Sequence, residues 1–585
     1  MLPFFWFNSP LSNLNIVEKT ILTGLLFPYT NDTKGFYSMA FENTSAGVYD
    51  RDQDLSQRSP TVISSIASIV VESSKGELDW TWVYDEQELK DKYGVKSFAK
   101  YGFGLHCAEH HLGESRILVR RVVDKATART AGAYLSVDDT EASEPVMKLV
   151  NFDDGTNQPK GVLGDPMEEI GFTPDKAGIK NVLMFIAARS PGSWSDSISV
   201  RIRPSAPQGT LPGEHSDAKQ FYVEVFVNYV GSASVPVETF LCSRSVELDG
   251  MGSQLFVEDK VNANSNYIRI KNNPLAPLVE FHTEVFEWLS GGVDGERATT
   301  QQIIDAWEGI EDTEVFEVQM LIGAGYTHPF VHQAIIKKAE ARGDAIAICD
   351  IPREFQQTAR AVNYRNNTLN ISNSYGTMYT PWVQLTDDVT GKKFWCPPSG
   401  LVAARYAYTD RTKAYHWAPA GIDRGRIPVS DLEYKYNKDE RNALDQAQIN
   451  IIRKIPGRGF VIFDQQTLQT FASNLQLINV RRLVNGIKSI IRKSFLPSVF
   501  NPNDSFERLK VKNLVDGEAQ KAVDSRGINE FETICDERNN TTAVVANNDM
   551  KVDFIVDPKI PAKRVHLGAD IRNMGQGRNI TFTES

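Results

Sequence analysis

The 585-residue chain has no Cys-x-x-Cys pair, no Gly-Lys-Ser/Thr loop and no Gly-x-Ser-x-Gly turn. These absences take away a thiol redox or zinc-ribbon motif, a nucleoside-triphosphate cradle and a serine-hydrolase elbow. Its five cysteines (Cys107, Cys242, Cys349, Cys396, Cys535) are odd in number and scattered, the pattern of free thiols in a reducing compartment. Basic excess is missing as well: 63 Lys and Arg stand against 74 Asp and Glu, for a net charge of -11. A phosphate-binding surface over the whole molecule is thereby excluded, and any basic patch has to be local. Long apolar runs are also wanting. Residues 1–38 hold Met1-Leu-Pro-Phe-Phe-Trp-Phe7 and Ile21-Leu-Thr-Gly-Leu-Leu-Phe27, but Glu18 and Lys19 interrupt them and no cationic leader precedes them. Neither a secretory signal nor the roughly 20 apolar residues of a membrane span is expected.

What is present is a globular pattern. The length calls for two to four domains, and 41% hydrophobic content supplies their cores. Residues 62–71 read as a strand, Asp85–Tyr93 as a short charged helix and Arg116–Val123 as a buried strand. From about 125 to 290 the helical period disappears. Segments such as Ile198-Ser-Val-Arg-Ile-Arg203 and Phe221-Tyr-Val-Glu-Val-Phe-Val227 alternate between Gly, Pro and Ser breaks, which predicts an inserted β-rich domain. The α/β pattern resumes after 296. Val315–Ile322, Pro329–Arg342 and Ala345–Asp350 predict strand, helix and parallel strand, with His328 capping, Pro329 in the first turn and Gly343 ending the helix. Residues 439–454 read as a helix with Leu444, Ala447 and Ile451 on one face. Phe460–Phe463 reads as a strand, and Lys551–Asp557 and Lys563–Arg572 as alternating terminal strands.

Three small motifs carry possible chemistry. Gly323-Ala-Gly325 sits where a strand-helix-strand unit binds ligands, yet it lacks the third glycine of a dinucleotide fingerprint, and a tight turn is the expected reading. His106-Cys-Ala-Glu-His110 fits the His-x-x-Glu-His pattern in which His106 and His110 would hold zinc and Glu109 would act as base. Gly102 and Gly104 weaken that helix and Gly113 ends it, so half-buried histidines are expected there instead. His328 and His332 are four apart but lack a third ligand, and read as a helix-start histidine and a surface histidine.

Two longer segments are more tightly patterned. Pro397–Arg426 opens on a Pro-Pro-Ser-Gly turn, continues through small residues Ala403 and Ala404 suited to close helix packing, centres on Thr409-Asp410-Arg411, and closes on Trp417-Ala-Pro419-Ala-Gly421. It reads as a docking element. Asn479–Lys493 predicts an amphipathic helix capped by Asn479, with Val480, Leu483, Val484, Ile487 and Ile491 on one stripe and Arg481, Arg482, Lys488, Arg492 and Lys493 on its flanks. Between Arg453 and Lys493 eight basic residues face the single acid Asp464. In an acidic chain this points to a face for an acidic partner.

The first of these segments closely resembles the motif of contractile phage tail sheath proteins, with its Pro-Pro-Ser-Gly-like start, Thr-Asp-Arg centre and Trp-x-Ala-Pro-Ala-Gly end. Asn479-Val-Arg-Arg-Leu483 is similar to that family's Ile-Asn-Val-Arg-Arg-Leu helix, Asn363–Trp382 to the strand before the docking motif, and Met39–Tyr49 to its start. The resemblance runs from about Ser45 to Arg572, strongest at 45–124, 296–354, 363–427 and 479–554. Because Met39 opens it, residues 1–38 are expected to be a non-native extension.

The resemblance implies an α+β multidomain fold, in which an α/β sheath core is built from N- and C-terminal parts around inserted β-rich domains. The expected division is an arm at 39–61, first core part at 62–124, insertion at 125–295, α/β domain at 296–430, C-terminal core domain at 431–557 and a C-terminal arm at 558–585. It implies a non-enzymatic subunit without cofactor or metal. Copies would form hexameric rings, stacked in a helical polymer around the tail tube, that contract to drive the tube through the host envelope for genome ejection. Implied partners are further copies, the tube protein, and baseplate and terminator proteins, with no nucleic acid and no membrane insertion. Implied location is the virion tail, assembled in host cytoplasm. The sheath of a tailocin or other bacterial contractile injection system shares these mechanics, while a zinc hydrolase using His106, Glu109 and His110 is the reading of a different class.

Overall fold

The computed structural model describes residues 65–124, 126–137, 146–151, 182–205, 219–231, 234–248, 251–274, 276, 278–387 and 391–563. All lie in the compact unit Arg58–Ser585. The expected extension at 1–38, the arm at 39–61 and the strand at Lys563–Arg572, apart from Lys563 itself, lie outside the described residues.

The chain opens with β1 (Ala67–Val71), β2 (Thr81–Val83), α1 (Glu86–Tyr93), α2 (Phe98–Tyr101), α3 (Gly104–Leu112) and β3 (Ile117–Arg121). Asp85 caps α1 by accepting from the Glu88 N–H at 2.7 Å, and acidic Glu86 and Glu88 in its first turn suit the positive helix end. Next come β4 (Gly132–Val137), β5 (Met147–Asn151), β6 (Val182–Ala188), β7 (Ile198–Pro204), β8 (Gln220–Val227), β9 (Glu238–Ser243), α4 (Val257–Asn264), β10 (Ile268–Asn272) and β11 (Val285–Trp288). They form two antiparallel four-stranded sheets, β10-β6-β4-β5 and β11-β7-β8-β9. Leu135, Ile186, Val200, Phe221 and Val223 from both sheets share one core, in which the Phe221 and Phe281 rings stack at 4.1 Å.

The remainder runs α5 (Thr300–Asp305), β12 (Met320–Ile322), α6 (Pro329–Arg342), β13 (Ile346–Asp350), α7 (Thr358–Asn363), β14 (Gly376–Thr380), β15 (Val383–Thr386), β16 (Lys393–Cys396) and α8 (Ser399–Thr412). It continues with β17 (Arg426–Ile427), β18 (Asp431–Leu432), α9 (Lys438–Gln446), β19 (Asn450–Ile455), β20 (Gly459–Ile462), α10 (Ile478–Phe495), α11 (Ser505–Asp524), β21 (Ile528–Ile534), α12 (Thr542–Ala546) and β22 (Asp553–Pro558). Nine described strands make the main sheet in the order β17-β20-β19-β14-β13-β12-β1-β3-β2. The six from β19 to β3 are parallel. Covered on both faces, β1, β12 and β13 are buried at every position, which is why they read as unbroken apolar runs. The chain is thus a multidomain α+β protein whose main sheet joins strands from either side of the inserted sheets. That sheet also takes strands from both sides of residue 430, so the expected division there falls within one sheet.

Other expectations shift locally. The predicted helix at 439–454 ends at Gln446. Gln448 adopts φ +56°, and the β-branched run Ile449–Ile455 turns into β19, because its isoleucines bury against β14 and β20. Only Met320–Ile322 of the predicted strand at 315–322 enters the sheet. Around α6, His328, Pro329 and Gly343 stand as predicted, with Gly343 at φ +72°.

The inserted sheets are held to the core by polar groups at their crossing points. Residues Arg129 and Val293 exchange backbone hydrogen bonds of 2.9 and 3.0 Å between the outgoing and returning strands. Buried Arg121 donates to Ser73 O at 3.0 Å and, across the junction, to Pro191 O at 2.6 Å, and Asp294 accepts from Tyr101 at 2.9 Å and from the Ser193 N–H at 2.7 Å; just outside the insertion, Glu72 pairs with Arg297 at 2.7 Å.

Candidate functional site

The segment 397–426 begins where the main sheet ends. Asp350, at the carboxyl end of β13, is fully buried and accepts from the Ser399 N–H at 2.8 Å and the Gly325 N–H at 3.2 Å. Burial pushes its carboxyl up to about 7 against the pull of these donors. Ser399 Oγ in turn takes the Ala324 N–H at 3.2 Å. With the Gly323 N–H donating to Ile348 O at 2.8 Å, all three amides of the Gly323–Gly325 turn are spent within the chain, the tight turn that was expected rather than a phosphate cradle.

From this anchor α8 runs against α3. A Cβ on Gly400 would lie 2.5 Å from the Cys107 Cα, so only glycine permits this helix approach. Ala403, Ala404 and Ala407 continue the buried face, and Tyr406 Oη shares a hydrogen bond of 2.7 Å with Tyr379 Oη. Thr409 is fully buried and its hydroxyl donates to Arg405 O at 2.8 Å. Asp410 pairs with Arg482 of α10 at 2.5 Å, with both side chains only 5% exposed, and the same guanidinium lies over the Tyr406 ring at 4.9 Å. Arg411 points outward to Glu114, at 2.6 Å, beside Arg405 on the same carboxylate at 2.5 Å.

Beyond α8 the chain becomes a junction. Trp417 Nε1 donates to Ser525 O at 3.2 Å, and Arg424 covers the indole at 5.0 Å while its Nε donates to Ala418 O at 2.8 Å. The Tyr415 ring lies where a Cβ on Gly486 of α10 would fall, at 2.4 Å. Pro419 is buried, and Gly421, at φ +91°, donates its N–H to Ile462 O at 2.9 Å. The predicted docking element thus joins three parts of its own chain: the main sheet at β20, helix α3, and the pair α10 and α11.

The basic helix needs a correction. Of its five flanking cations, Arg481 and Arg482 are buried, 4% and 5% exposed, and serve the chain itself. Arg481 donates to Asn485 Oδ1 at 2.9 Å and stacks over the Tyr375 ring at 4.2 Å. Arg492 reaches Asp344 at 3.1 Å, and Lys493 pairs with Glu317. Lys488 is exposed. The helix starts from Leu477 rather than capping on Asn479. An apolar stripe shows which side faces the core, but not that the opposite flank is covered too, here by Tyr375, Tyr406 and Asp410. Sequence reasoning also missed Gly400, Glu114 and Asp350. Of these, only the glycine of Pro-Pro-Ser-Gly carried a readable signal.

The histidine motifs are built into packing. His106 is buried with its ring 4.7 Å from that of Phe394, and Glu109 is ion-paired with Lys96. His332 is buried rather than at the surface, shares a hydrogen bond of 3.0 Å with Tyr364 Oη, and is pushed down to about 3 by burial. No group of three His, Cys, Asp or Glu among the described residues is placed to hold a metal ion. All five cysteines are buried and free.

Residues 296–468, the stretch from α5 through β20, match the phage tail sheath protein central domain. That stretch resembles tail sheath proteins. The chain is 28% identical over 292 residues to the tail sheath protein of Enterobacteria phage T4, which covers 46% of this chain and 44% of that one. It is 32% identical over 193 residues to that of Vibrio phage KVP40, 33% of this chain and 29% of the relative. To that of Salmonella phage ViI it is 24% identical over 387 residues, 64% and 58% respectively. The matches therefore span under two thirds of these sheath proteins. In fold, the chain is similar to a crystallised sheath tail protein from Listeria innocua, with a TM-score of 0.52 at 11% identity over 86% of this chain and 96% of that one. No helix among the described residues is long and apolar enough to cross a membrane.

Proposed function

We propose that this chain is the structural subunit of a contractile tail sheath. Copies assemble as stacked six-membered rings around a tail tube, in an extended state that shortens and widens to drive the tube through the host cell envelope. The carrying observation is the match of residues 296–468 to the sheath central domain, a stretch that supplies the main sheet from its β17 edge through β12. On this reading the partners are further copies, the tube protein, and the baseplate and terminator proteins. The place of action is the virion tail, after assembly in the host cytoplasm. The 397–426 junction acts by holding the subunit's shape, which suits a machine whose work is stored in packing between copies.

Two surface features support self-association. The sheet of β21 and β22 is two-stranded, with outer edges unpaired among the described residues, so strand addition by an arm of another copy has a template there. Phe500, Phe506 and Leu509, around the turn between α10 and α11, are large apolar side chains left exposed on the single subunit, and contact with neighbouring copies would cover them.

Electron microscopy of the purified protein tests the proposal: ribbed tubes, extended or contracted, are expected, and persistent monomers in the presence of the cognate tube would refute it. Lys488→Glu tests the basic face. Because Lys488 is exposed, folding stability is expected to change by less than about 0.5 kcal/mol while assembly on tubes falls. Undiminished assembly would remove Lys488 from the contact.

A further inference from the structure

The segment after β22 is exposed from Lys559 to Lys563, yet Lys563 reaches back to the core. Lys563 Nζ is seated between two carboxylates, pairing with Asp445 at the end of α9 and with Asp464 just past β20, the latter at 3.2 Å. Each acid is also held by its own surroundings. Gln466 Nε2 donates to Asp445, and the Gln465 N–H donates to Asp464 Oδ1 at 3.0 Å. The Asp464 side chain is only 9% exposed, while that of Lys563 is 44% exposed. Among the described residues the segment is also tied down by a hydrogen bond from the Lys559 N–H to Gly527 O at 2.9 Å.

We propose that Lys563, Asp445 and Asp464 form an acid-releasable clasp that ties the segment after β22 to its own subunit, and that this self-contact opens before another copy takes up that segment. The second half rests on the sheath reading; the clasp itself does not.

The chemistry follows from one ammonium serving two carboxylates. The charged or titratable groups acting on Asp464 are Asp445 from α9, Lys563 from the segment and the Tyr379 phenol from β14. Burial raises the Asp464 carboxyl to about 6, Lys563 pulls it down and Asp445 pushes it up. When the lysine leaves, the downward pull goes with it and two carboxylates are left facing each other, so Asp464 keeps a proton to higher pH. Opening therefore takes up a proton at pH values above about 6. The opening constant rises as pH falls toward that value, by at most about tenfold per pH unit, and levels off below it, where open and closed forms both hold the proton.

Competitive lysine acylation of the unassembled full-length chain, read by mass spectrometry as the ratio of Lys563 to Lys559 labelling, tests the clasp. Lys559 is the internal reference because it is exposed on the same segment. The ratio is expected to lie well below one at pH 8 and to climb toward pH 6. Asp464→Asn and Asp445→Asn are each expected to raise it about three- to fivefold at pH 8, and Asp464→Asn to flatten its pH dependence. Tryptic cleavage after Lys559 should quicken in Lys563→Gln, with hydrogen exchange of β21 and β22 unchanged as the folding control. A ratio indifferent to pH and to both substitutions, or cleavage unaltered in Lys563→Gln, overturns the clasp. Because neither readout needs tubes, a failure of sheath assembly leaves this result standing.

Discussion

At the scale of single residues, buried charge dominates this subunit. Asp410 and Arg482 have left water together, and their attraction compensates a desolvation cost that neither could bear alone. Asp410→Ala strands the guanidinium and is expected to cost about 3–5 kcal/mol in urea unfolding, whereas the double change Asp410→Leu with Arg482→Met should recover most of it. Asp350 yields a different signature. Its folded value of about 7 lies above the unfolded carboxylate value, so its contribution is fully present below about 4 and is lost as pH rises through 7. Asp350→Asn removes that dependence. Its stability relative to the parent should improve by up to about 1.4 kcal/mol per pH unit between pH 4 and 7, measured as the urea midpoint across that range. A difference that does not vary with pH would show that Asp350 ionises normally.

At the scale of elements, close approach between helices sets the architecture. Gly400 brings α8 onto α3, and Gly486 brings α10 onto Tyr415. Alanine at 400 gains about 1 kcal/mol of helix propensity but meets backbone, which cannot swing aside as a side chain would. Gly400→Ala is expected to lose about 1–3 kcal/mol net, and a chemical denaturation curve unchanged or shifted upward would contradict this packing. The same elements show where sequence reading succeeds and where it stops. The period of α6, its histidine cap and its terminal glycine are local signals, and they stand in the structure as read. The helix expected at 439–454 failed at Gln448, since Leu444, Ala447 and Ile451 satisfy a helical period while a place beside β14 draws the isoleucines into a strand. Likewise the Thr409-Asp-Arg411 motif was visible, but its partners Arg482 and Glu114 lie far away in sequence and nothing local announces them.

At the scale of the whole molecule, the inserted sheets stand apart in their bonding. Their core is closed by their own strands, while Arg121 on Pro191 O and Asp294 with Tyr101 attach them through specific polar contacts. Residues 125–295 expressed alone are expected to unfold cooperatively, with a β-type circular dichroism spectrum. A fragment without a thermal transition would mean that the insertion borrows its stability from the main sheet.

The pairing of β1 with β12 has a consequence in time. On the ribosome β1 emerges early, and β3 soon supplies one neighbour, but the strand that covers its other edge begins at Met320, 253 residues after its register partner Ala67 (320 minus 67). At elongation rates of roughly 5–20 residues per second that edge waits on the order of 10–50 seconds, while the inserted sheets are completed. An apolar strand left half-paired for so long invites pairing with the wrong edge, so folding depends on what shields Ala67–Val71 until Met320 arrives.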